Sequence, residues 1–159
     1  MWNNLKKEHE LVNKLTNYQY TISTAESCTG GLLAGAIVNV SGASDVFHCG
    51  FVTYSEDAKE RFAMVRHDTL ARFGVVSAET AGEMAAGCRR MAEADMGLST
   101  TGIAGPGGGT KDLPVGLVYI GCSLHEKVLT RRYVFSGNRD EVRQKAVEAA
   151  LDLALECLE

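Results

Sequence analysis

Hydrophobic and polar positions follow the periods of helices and strands along most of this chain. Residues 2–17 place Leu11 and Leu15 four apart among Lys and Glu residues, which predicts an amphipathic helix. Residues 20–24 alternate β-branched and small side chains, which predicts a short strand. The segment 32–40 is apolar on nearly every side and predicts a buried helix.

The same patterns continue to the end of the chain. They predict a strand over 46–54, helices over 56–64 and 78–96, strands over 98–101, 117–124 and 128–135, and a helix over 139–158. Ser55 and Ser77 precede the two central helices and are good N-caps. A hairpin around 125–127 joins the last two strands. This order predicts a single domain over residues 1–159 of the α/β class, with three α/β/α layers and a mixed sheet.

Composition excludes several classes of protein. Apolar residues make up 45% and charged residues 23% of 159 residues, which favours a globular domain over a disordered chain. The formal net charge of −4 does not indicate a nucleic-acid partner. The longest apolar run, 32–38, is too short to cross a membrane, and the first residues are not typical of a signal peptide.

The cysteines do not indicate a metal site or a disulfide framework. They are odd in number and scattered along the chain, at Cys28, Cys49, Cys88, Cys122 and Cys157. This usage is typical of core thiols in a reducing compartment, so we expect a cytoplasmic protein without a metal ion.

Glycine and proline are concentrated in one window of the sequence. Both prolines and eight of the 17 glycines lie between positions 97 and 121. Within that window, the stretch from Thr101 through Gly102, Gly105 and Gly108 follows a predicted strand, as ligand loops do in open α/β sheets. Its spacing matches neither a dinucleotide fingerprint nor a P-loop. It predicts backbone N–H groups that surround an anion, and the alternative is a flexible surface loop.

Residues 25–31, Ala-Glu-Ser-Cys-Thr-Gly-Gly, connect a predicted strand to a predicted helix. Ser27 is a candidate nucleophile there, with Cys28 expected to point away from it. Thr29, Gly30 and Gly31 would begin the helix, whose unpaired N–H groups could hold a phosphate or an oxyanion. The alternative is an ordinary N-cap made by Ser27 or Thr29.

Tyr54 and Lys59 form a second candidate, at the end of a strand and one turn into the next helix. A lysine whose pKa is lowered by burial can act as a general base, and a tyrosine can assist it. Ser55 shares a face with Lys59 and is a rival nucleophile. The alternative is a surface lysine that pairs with a neighbouring glutamate.

Arg139 and Arg143 lie four apart at the start of the last helix and therefore share a face. Two guanidinium groups so placed could bind a phosphate through paired N–H donors. The alternative is a solvated helix face with weak ion pairs.

Together these residues resemble the CinA C-terminal domain family. The resemblance covers the chain from about residue 10 to its end. It rests on Ala-Glu-Ser-Cys-Thr-Gly-Gly at 25–31, Val-Thr-Tyr-Ser at 52–55 with Ala58-Lys59, Thr-Gly-Ile-Ala-Gly-Pro at 101–106, Pro-Val-Gly at 114–116 and Gly-x-Arg-x-x-x-Arg at 137–143.

The resemblance implies a nicotinamide-nucleotide amidase in its stand-alone form, which converts nicotinamide mononucleotide (NMN) to nicotinate mononucleotide and ammonia without a metal or organic cofactor. It implies that Ser27 is the nucleophile, with Lys59 and Tyr54 as the base and its helper in an order left open. The helix start at 29–31, the loop at 101–109, and Arg139 or Arg143 would contact the substrate.

One position departs from the family pattern. The family usually has Lys before the Pro-Val-Gly motif, and this chain has Leu113 there, with Lys111 two residues upstream. The sequence therefore predicts that a cation beside the glycine loop is missing. We also expect a homo-oligomer. Two alternatives to the amidase stay open, a non-catalytic module that binds a nucleotide and a domain that binds a protein partner.

Overall fold

A computed structural model describes residues 6–159. The elements are α1 (Lys7–Tyr18), β1 (Ile22–Glu26), α2 (Leu32–Val38), a 3-10 turn (Ala43–Asp45), β2 (Phe47–Val52), α3 (Glu56–Ala63), α4 (His67–Phe73), α5 (Ala78–Met91), β3 (Met96–Gly102), β4 (Leu117–Leu124), β5 (Lys127–Val134) and α6 (Arg139–Cys157). The part of the predicted first helix before residue 6 lies outside the described residues.

The five strands form one mixed sheet in the order β2-β1-β3-β4-β5. β2, β1 and β3 are parallel, whereas β4 and β5 are antiparallel to their neighbours. Glu26, the last residue of β1, lies beside Val52 of β2 and Thr100 of β3. The three parallel strands therefore end along one edge of the sheet, where α/β proteins place their ligand sites.

Helices cover both faces of the sheet, which confirms the three-layer α/β/α class. On one face, apolar residues of α1, α2 and α6 pack in a large core that includes Ile22, Leu98 and Ile120. On the other face, α3, α4 and α5 pack in a smaller core around Ala25 and Met84. Within residues 6–159, no helix is both long and apolar enough to span a membrane.

Local signals placed several element boundaries correctly. Ser55 accepts a hydrogen bond from the N–H of Ala58, and Ser77 accepts one from that of Thr80, so both predicted N-caps are confirmed. The hairpin is confirmed too. Its turn is tighter than predicted, because Lys127 already pairs with Leu124.

Other predicted boundaries were wrong because tertiary packing decides them. The helix predicted over 78–96 ends at Met91, and Gly97 lies inside β3. A Cβ atom at Gly97 would come within 2.0 Å of the carbonyl oxygen of Ala85, so this glycine allows α5 to pack directly on β3. The sequence also missed α4, whose seven residues are too few to establish a helical period.

Two helical glycines provide a matched test of this packing. A Cβ atom at Gly87 of α5 would lie 1.6 Å from the carbonyl oxygen of Ala63, whereas one at Gly35 of α2 would meet nothing within 4 Å. We expect Gly87→Ala to lower the free energy of unfolding by at least about 2 kcal/mol, because backbone has to move. Gly35→Ala should raise it by up to about 1 kcal/mol through helix propensity. Urea unfolding of both variants measures the difference, and equal effects would contradict the close packing of α5 on α3 at Gly87.

Candidate active site

The candidate site lies at the edge of the sheet where the parallel strands end. Ser27 follows β1 directly, Thr53 and Tyr54 follow β2, and the glycine loop follows β3. Their side chains and backbone surround a cavity of about 190 Å³. The residues that line it are Ser27, Cys28, Tyr54, Gly102, Ile103, Ala104, Gly105, Gly107, Gly108 and Arg139.

Ser27 and Lys59 form the central contact of the site. The Lys59 ammonium nitrogen lies 3.0 Å from the Ser27 hydroxyl oxygen and 2.7 Å from the carbonyl oxygen of Thr53. Lys59 is only 2% exposed, so the alternative of a surface lysine paired with a glutamate does not hold. It lies in the first turn of α3, and the Ser55 cap fixes where that helix begins.

Burial lowers the pKa of Lys59 from its ordinary value, and the nearby Cys28 and Glu56 oppose this shift only in part. A lysine with a lowered pKa can be neutral when a substrate arrives. Its free electron pair can then accept the proton of the Ser27 hydroxyl. This geometry favours Lys59 over Tyr54 as the base.

The rival nucleophiles are occupied or inert. The Ser55 hydroxyl accepts the N–H of Ala58 at 3.1 Å and so serves as a helix cap. The Cys28 side chain packs in the core, as expected from the sequence, and burial raises its pKa to about 11. At neutral pH it is a thiol, which is a weak nucleophile.

Tyr54 lies on the outer side of the cavity rather than beside Lys59. It is 63% exposed, and its hydroxyl accepts a hydrogen bond from Arg139 at 3.2 Å. Arg139 also donates to the carbonyl oxygen of Gly105 at 2.8 Å. This guanidinium group thus connects the end of β2, the glycine loop and the start of α6 at the cavity.

Arg143 has a different environment from Arg139, although both begin the same helix. It donates to the carbonyl oxygens of Cys28 and Thr29, at 3.0 and 3.1 Å. It therefore supports the segment 27–31 between β1 and α2, here named the Ser27 loop, and does not line the cavity. A phosphate-binding role for Arg143 stays a prediction.

The glycine loop has a fixed path in the structure. The N–H of Ile103 donates to Leu117 and the N–H of Gly116 donates to Ile103, which joins the two ends of the loop. Gly116 has φ +93°, and a Cβ there would lie 2.0 Å from the Phe135 carbonyl oxygen, so only glycine fits. Gly105, also at positive φ, precedes Pro106 in a cis peptide. The loop is therefore built to hold its backbone beside the cavity.

A second groove adjoins the cavity and shares Ala104 and Arg139 with it. It measures about 620 Å³ and is lined further by Pro106, Val115, Gly137, Asn138 and Asp140. Lys111 and Leu113 line neither space. Leu113 is 38% exposed and closes a turn with Thr110.

The start of α2 differs from the prediction made from sequence. The carboxylate of Glu26 accepts the N–H groups of Leu33 and Ala34, at 2.8 and 3.0 Å. The expectation that these first-turn N–H groups are unpaired was therefore wrong. The Thr29 hydroxyl is also occupied, by Glu26 and Thr100.

The remaining predicted contacts are divided between the cavity and its support. Three of the predicted residues line the cavity, namely Gly102, Gly105 and Gly108. Three others do not, namely Gly30, Gly31 and Thr101. The Thr101 hydroxyl donates to the carbonyl oxygen of Val75 at 2.6 Å. Over residues 6–159, no group of three or more His, Cys, Asp or Glu is arranged to hold a metal ion.

Sequence reasoning missed Glu26, Thr53 and Thr100. Glu26 could have been found, because a charged residue at the end of a buried strand needs partners. Thr53 contributes only through its backbone carbonyl oxygen, which accepts from Lys59. Thr100 contributes through its hydroxyl, which contacts Thr29, 71 positions away in the sequence. Neither contribution can be recognised from the neighbouring sequence.

The lowered pKa of Lys59 predicts how stability depends on pH. Between its folded-state pKa and its ordinary value of 10.5, the unfolded chain binds more protons than the folded one. Stability therefore rises with pH across that window. We expect the free energy of unfolding of the wild type, minus that of Lys59→Met, to increase from neutral pH towards pH 10. Chemical denaturation at a series of pH values measures this difference. A flat difference would show that Lys59 has an ordinary pKa, and a falling difference would show that its pKa is raised.

Comparison with known proteins identifies the relatives of this fold and site. The closely similar solved structures include a competence/damage inducible protein, CihA, from Agrobacterium tumefaciens, with a TM-score of 0.90 and 40% identity over 99% of both chains. A competence or damage-inducible protein from Enterobacter asburiae has a TM-score of 0.92 and 37% identity over 96% of both chains.

Curated relatives are longer than this chain. A competence-damage inducible protein of Thermoanaerobacter pseudethanolicus is 51% identical over 146 residues, which are 92% of this chain and 35% of the relative. A CinA-like protein of Kosmotoga olearia is 49% identical over 95% of this chain and 37% of the relative. The chain thus spans about a third of the length of these relatives. The model of the CinA C-terminal domain matches residues 4–158, and the chain therefore belongs to the CinA C-terminal domain family.

Proposed function

We propose that this protein is a serine-type amidase that hydrolyses the carboxamide of NMN to nicotinate mononucleotide and ammonia. The observation that carries the proposal is the 3.0 Å contact between the Ser27 hydroxyl and the buried amine of Lys59. A hydroxyl paired with a depressed-pKa amine is an activated nucleophile suited to acyl transfer. The NMN specificity comes from the resemblance of the motifs to the family.

The reaction would proceed through an acyl-enzyme. Neutral Lys59 accepts the Ser27 proton as the serine oxygen bonds to the carboxamide carbon. The resulting tetrahedral intermediate collapses when the C–N bond breaks, and Lys59 returns the proton to the departing nitrogen, which leaves as ammonia. Water, deprotonated in turn by Lys59, then attacks the ester and releases the carboxylic acid and the Ser27 hydroxyl.

The negative oxygen of the intermediate needs hydrogen-bond donors near Ser27. The N–H of Ser27 itself is occupied, because it donates to the Thr100 carbonyl oxygen at 3.0 Å. Cys28 is one of the residues that line the cavity, and among residues 6–159 no oxygen accepts its backbone N–H. The Cys28 N–H is therefore our candidate donor, together with N–H groups of the glycine loop.

The dimensions of the site suit a mononucleotide. The cavity of about 190 Å³ lies below the range of about 300–1,000 Å³ typical of whole ligand sites, so it would hold only the nicotinamide ring. The ribose and phosphate would then extend towards the adjoining groove, past Arg139. A guanidinium group at this boundary can bind a phosphate.

The direct test is ammonia release from NMN by the purified protein. We expect turnover by the wild type, a loss of at least about 1,000-fold in Ser27→Ala, and a similar loss in Lys59→Met, since nucleophile and base act as a unit. Cys28→Ala is the matched control and should keep turnover, because its thiol packs in the core. Activity that survives in Ser27→Ala but not in Cys28→Ala would assign the nucleophile to the thiol instead.

Other outcomes would replace the amidase by one of the alternatives. Binding of NMN without turnover, unaffected by Ser27→Ala, would indicate a nucleotide-binding module. An unchanged melting temperature at saturating NMN would indicate a protein-binding domain, because a ligand of the folded state must stabilise it.

The role of Arg139 can be tested with two substrates that differ by one phosphate. We expect Arg139→Gln to raise KM for NMN by about 10-fold or more, since a charged hydrogen bond contributes about 1.5–3 kcal/mol. KM for nicotinamide riboside, which lacks the phosphate, should change little. Arg143→Gln is the control and should impair both substrates equally, because Arg143 supports the Ser27 loop. An equal effect of Arg139→Gln on both substrates would remove Arg139 from the phosphate site.

The proposal needs no metal ion or organic cofactor, since the chain's own groups supply the nucleophile and the base. A cytoplasmic location, a homo-oligomeric state and a stand-alone single-domain protein stay predictions of the sequence.

A further inference from the structure

A buried carboxylate lies on the opposite side of β1 from the Ser27–Lys59 pair. Glu26 is 0% exposed, and among residues 6–159 no cationic side chain lies within ion-pair distance of it. Its three donors are the Thr29 hydroxyl at 2.5 Å and the N–H groups of Leu33 and Ala34. Both oxygens of this carboxyl group accept hydrogen bonds from these donors.

This carboxylate fixes the direction of a chain of hydrogen bonds that reaches Ser27. Because Glu26 only accepts, the Thr29 hydroxyl must donate to it. The Thr29 oxygen, 2.8 Å from the Thr100 oxygen, is then the acceptor for the Thr100 hydroxyl. The hydroxyl oxygen of Thr100 in turn lies 3.4 Å from the backbone nitrogen of Ser27. The same N–H makes a shorter hydrogen bond, of 3.0 Å, to the carbonyl oxygen of Thr100.

The Ser27 loop is thereby held from two sides. Glu26 holds the Thr29 hydroxyl and the start of α2, while Arg143 holds the carbonyl oxygens of Cys28 and Thr29. These bonds turn both carbonyl groups towards Arg143. Cys28 itself lines the cavity, and its backbone N–H keeps no oxygen acceptor among the described residues.

We infer that Glu26 is a positioning residue, which sets the Ser27 hydroxyl and the Cys28 N–H through the directed hydroxyls of Thr29 and Thr100. The inference rests on the proposed amidase function. Glu26 is fully buried and touches no part of the cavity, so it acts only through the loop. Because a displacement of about 1 Å can reduce a rate about 100-fold, loss of this support should affect the chemical step more than binding.

Three variants and one control separate positioning from general stability. Glu26→Gln is isosteric but must turn an NH2 group towards a donor. Thr29→Val keeps the shape of threonine without its hydroxyl, and Thr29→Ser restores the hydroxyl. Ser99→Ala is the control, because it removes a buried hydroxyl that bonds to Ala81 on the α5 side of the sheet, outside this chain of bonds.

We expect Glu26→Gln and Thr29→Val to lower kcat for NMN by about 10-fold to 100-fold with KM within about twofold of the wild type. Thr29→Ser should recover most of the loss seen in Thr29→Val, and Ser99→Ala should keep the wild-type kcat. A loss in Ser99→Ala as large as that in Thr29→Val, or no recovery in Thr29→Ser, would overturn the inference.

A measurement without substrate keeps this test separate from the proposed function. Hydrogen exchange of the Ser27 amide, followed by NMR and normalised to the Leu98 amide of β3, should be at least about tenfold faster in Glu26→Gln and Thr29→Val than in the wild type and Ser99→Ala. If the wild type hydrolyses no amide, the proposed function fails. The exchange ratio alone then tests whether Glu26 positions the Ser27 loop. An unchanged ratio would overturn the positioning role even in an active enzyme.

Discussion

The site depends on keeping the amine of Lys59 buried beside the Ser27 hydroxyl. An ammonium group loses hydration when it is buried, which lowers its pKa, and its remaining donors need nearby acceptors. The two acceptors come from different strands, since Ser27 follows β1 and Thr53 follows β2. Lysine reaches both because Ser55 begins α3 at a fixed point. A change in strand order, in the cap or in the turn after β1 would therefore break the same contact.

The alternation of β1 distributes the charged groups of the site over two faces of the sheet. Successive side chains of a strand point in opposite directions, so Glu26 meets α2 while Ser27 meets α3. The buried acid and the buried amine are thus separated by the sheet, although Glu26 is adjacent in sequence to Ser27, which contacts the amine. If they met, Lys59 would gain an ion pair and its pKa would rise. Under the proposed amidase function, their separation would keep the amine available as a base while the carboxylate orders the loop.

The sequence predicted the parts of the fold and site that depend on neighbouring residues. The serine caps, the hairpin and the glycine loop after a strand all have local chemical signals, and so has the spacing of Lys59 from the strand end. The contacts of Arg139 and Arg143 join positions 34 to 115 residues apart. Strand order depends likewise on pairing between distant segments, such as β1 with β3. Helix periodicity predicts that Arg139 and Arg143 lie on the same face of α6. Only the tertiary structure shows that Arg139 reaches the cavity and that Arg143 supports the Ser27 loop behind it.

The departure at Leu113 shows why a missing residue in a motif need not mean a missing charge. The sequence predicted that the glycine loop lacks a cation, and within the loop the structure places Leu113 in an exposed turn away from the cavity. Arg139 nevertheless contacts the loop from α6, through the carbonyl oxygen of Gly105. The capping box of Asn138 and Glu141 fixes where that helix begins and therefore where the guanidinium group lies. The positive charge at the site thus depends on a helix cap remote in sequence, so residue 113 alone does not determine whether the site can bind an anion.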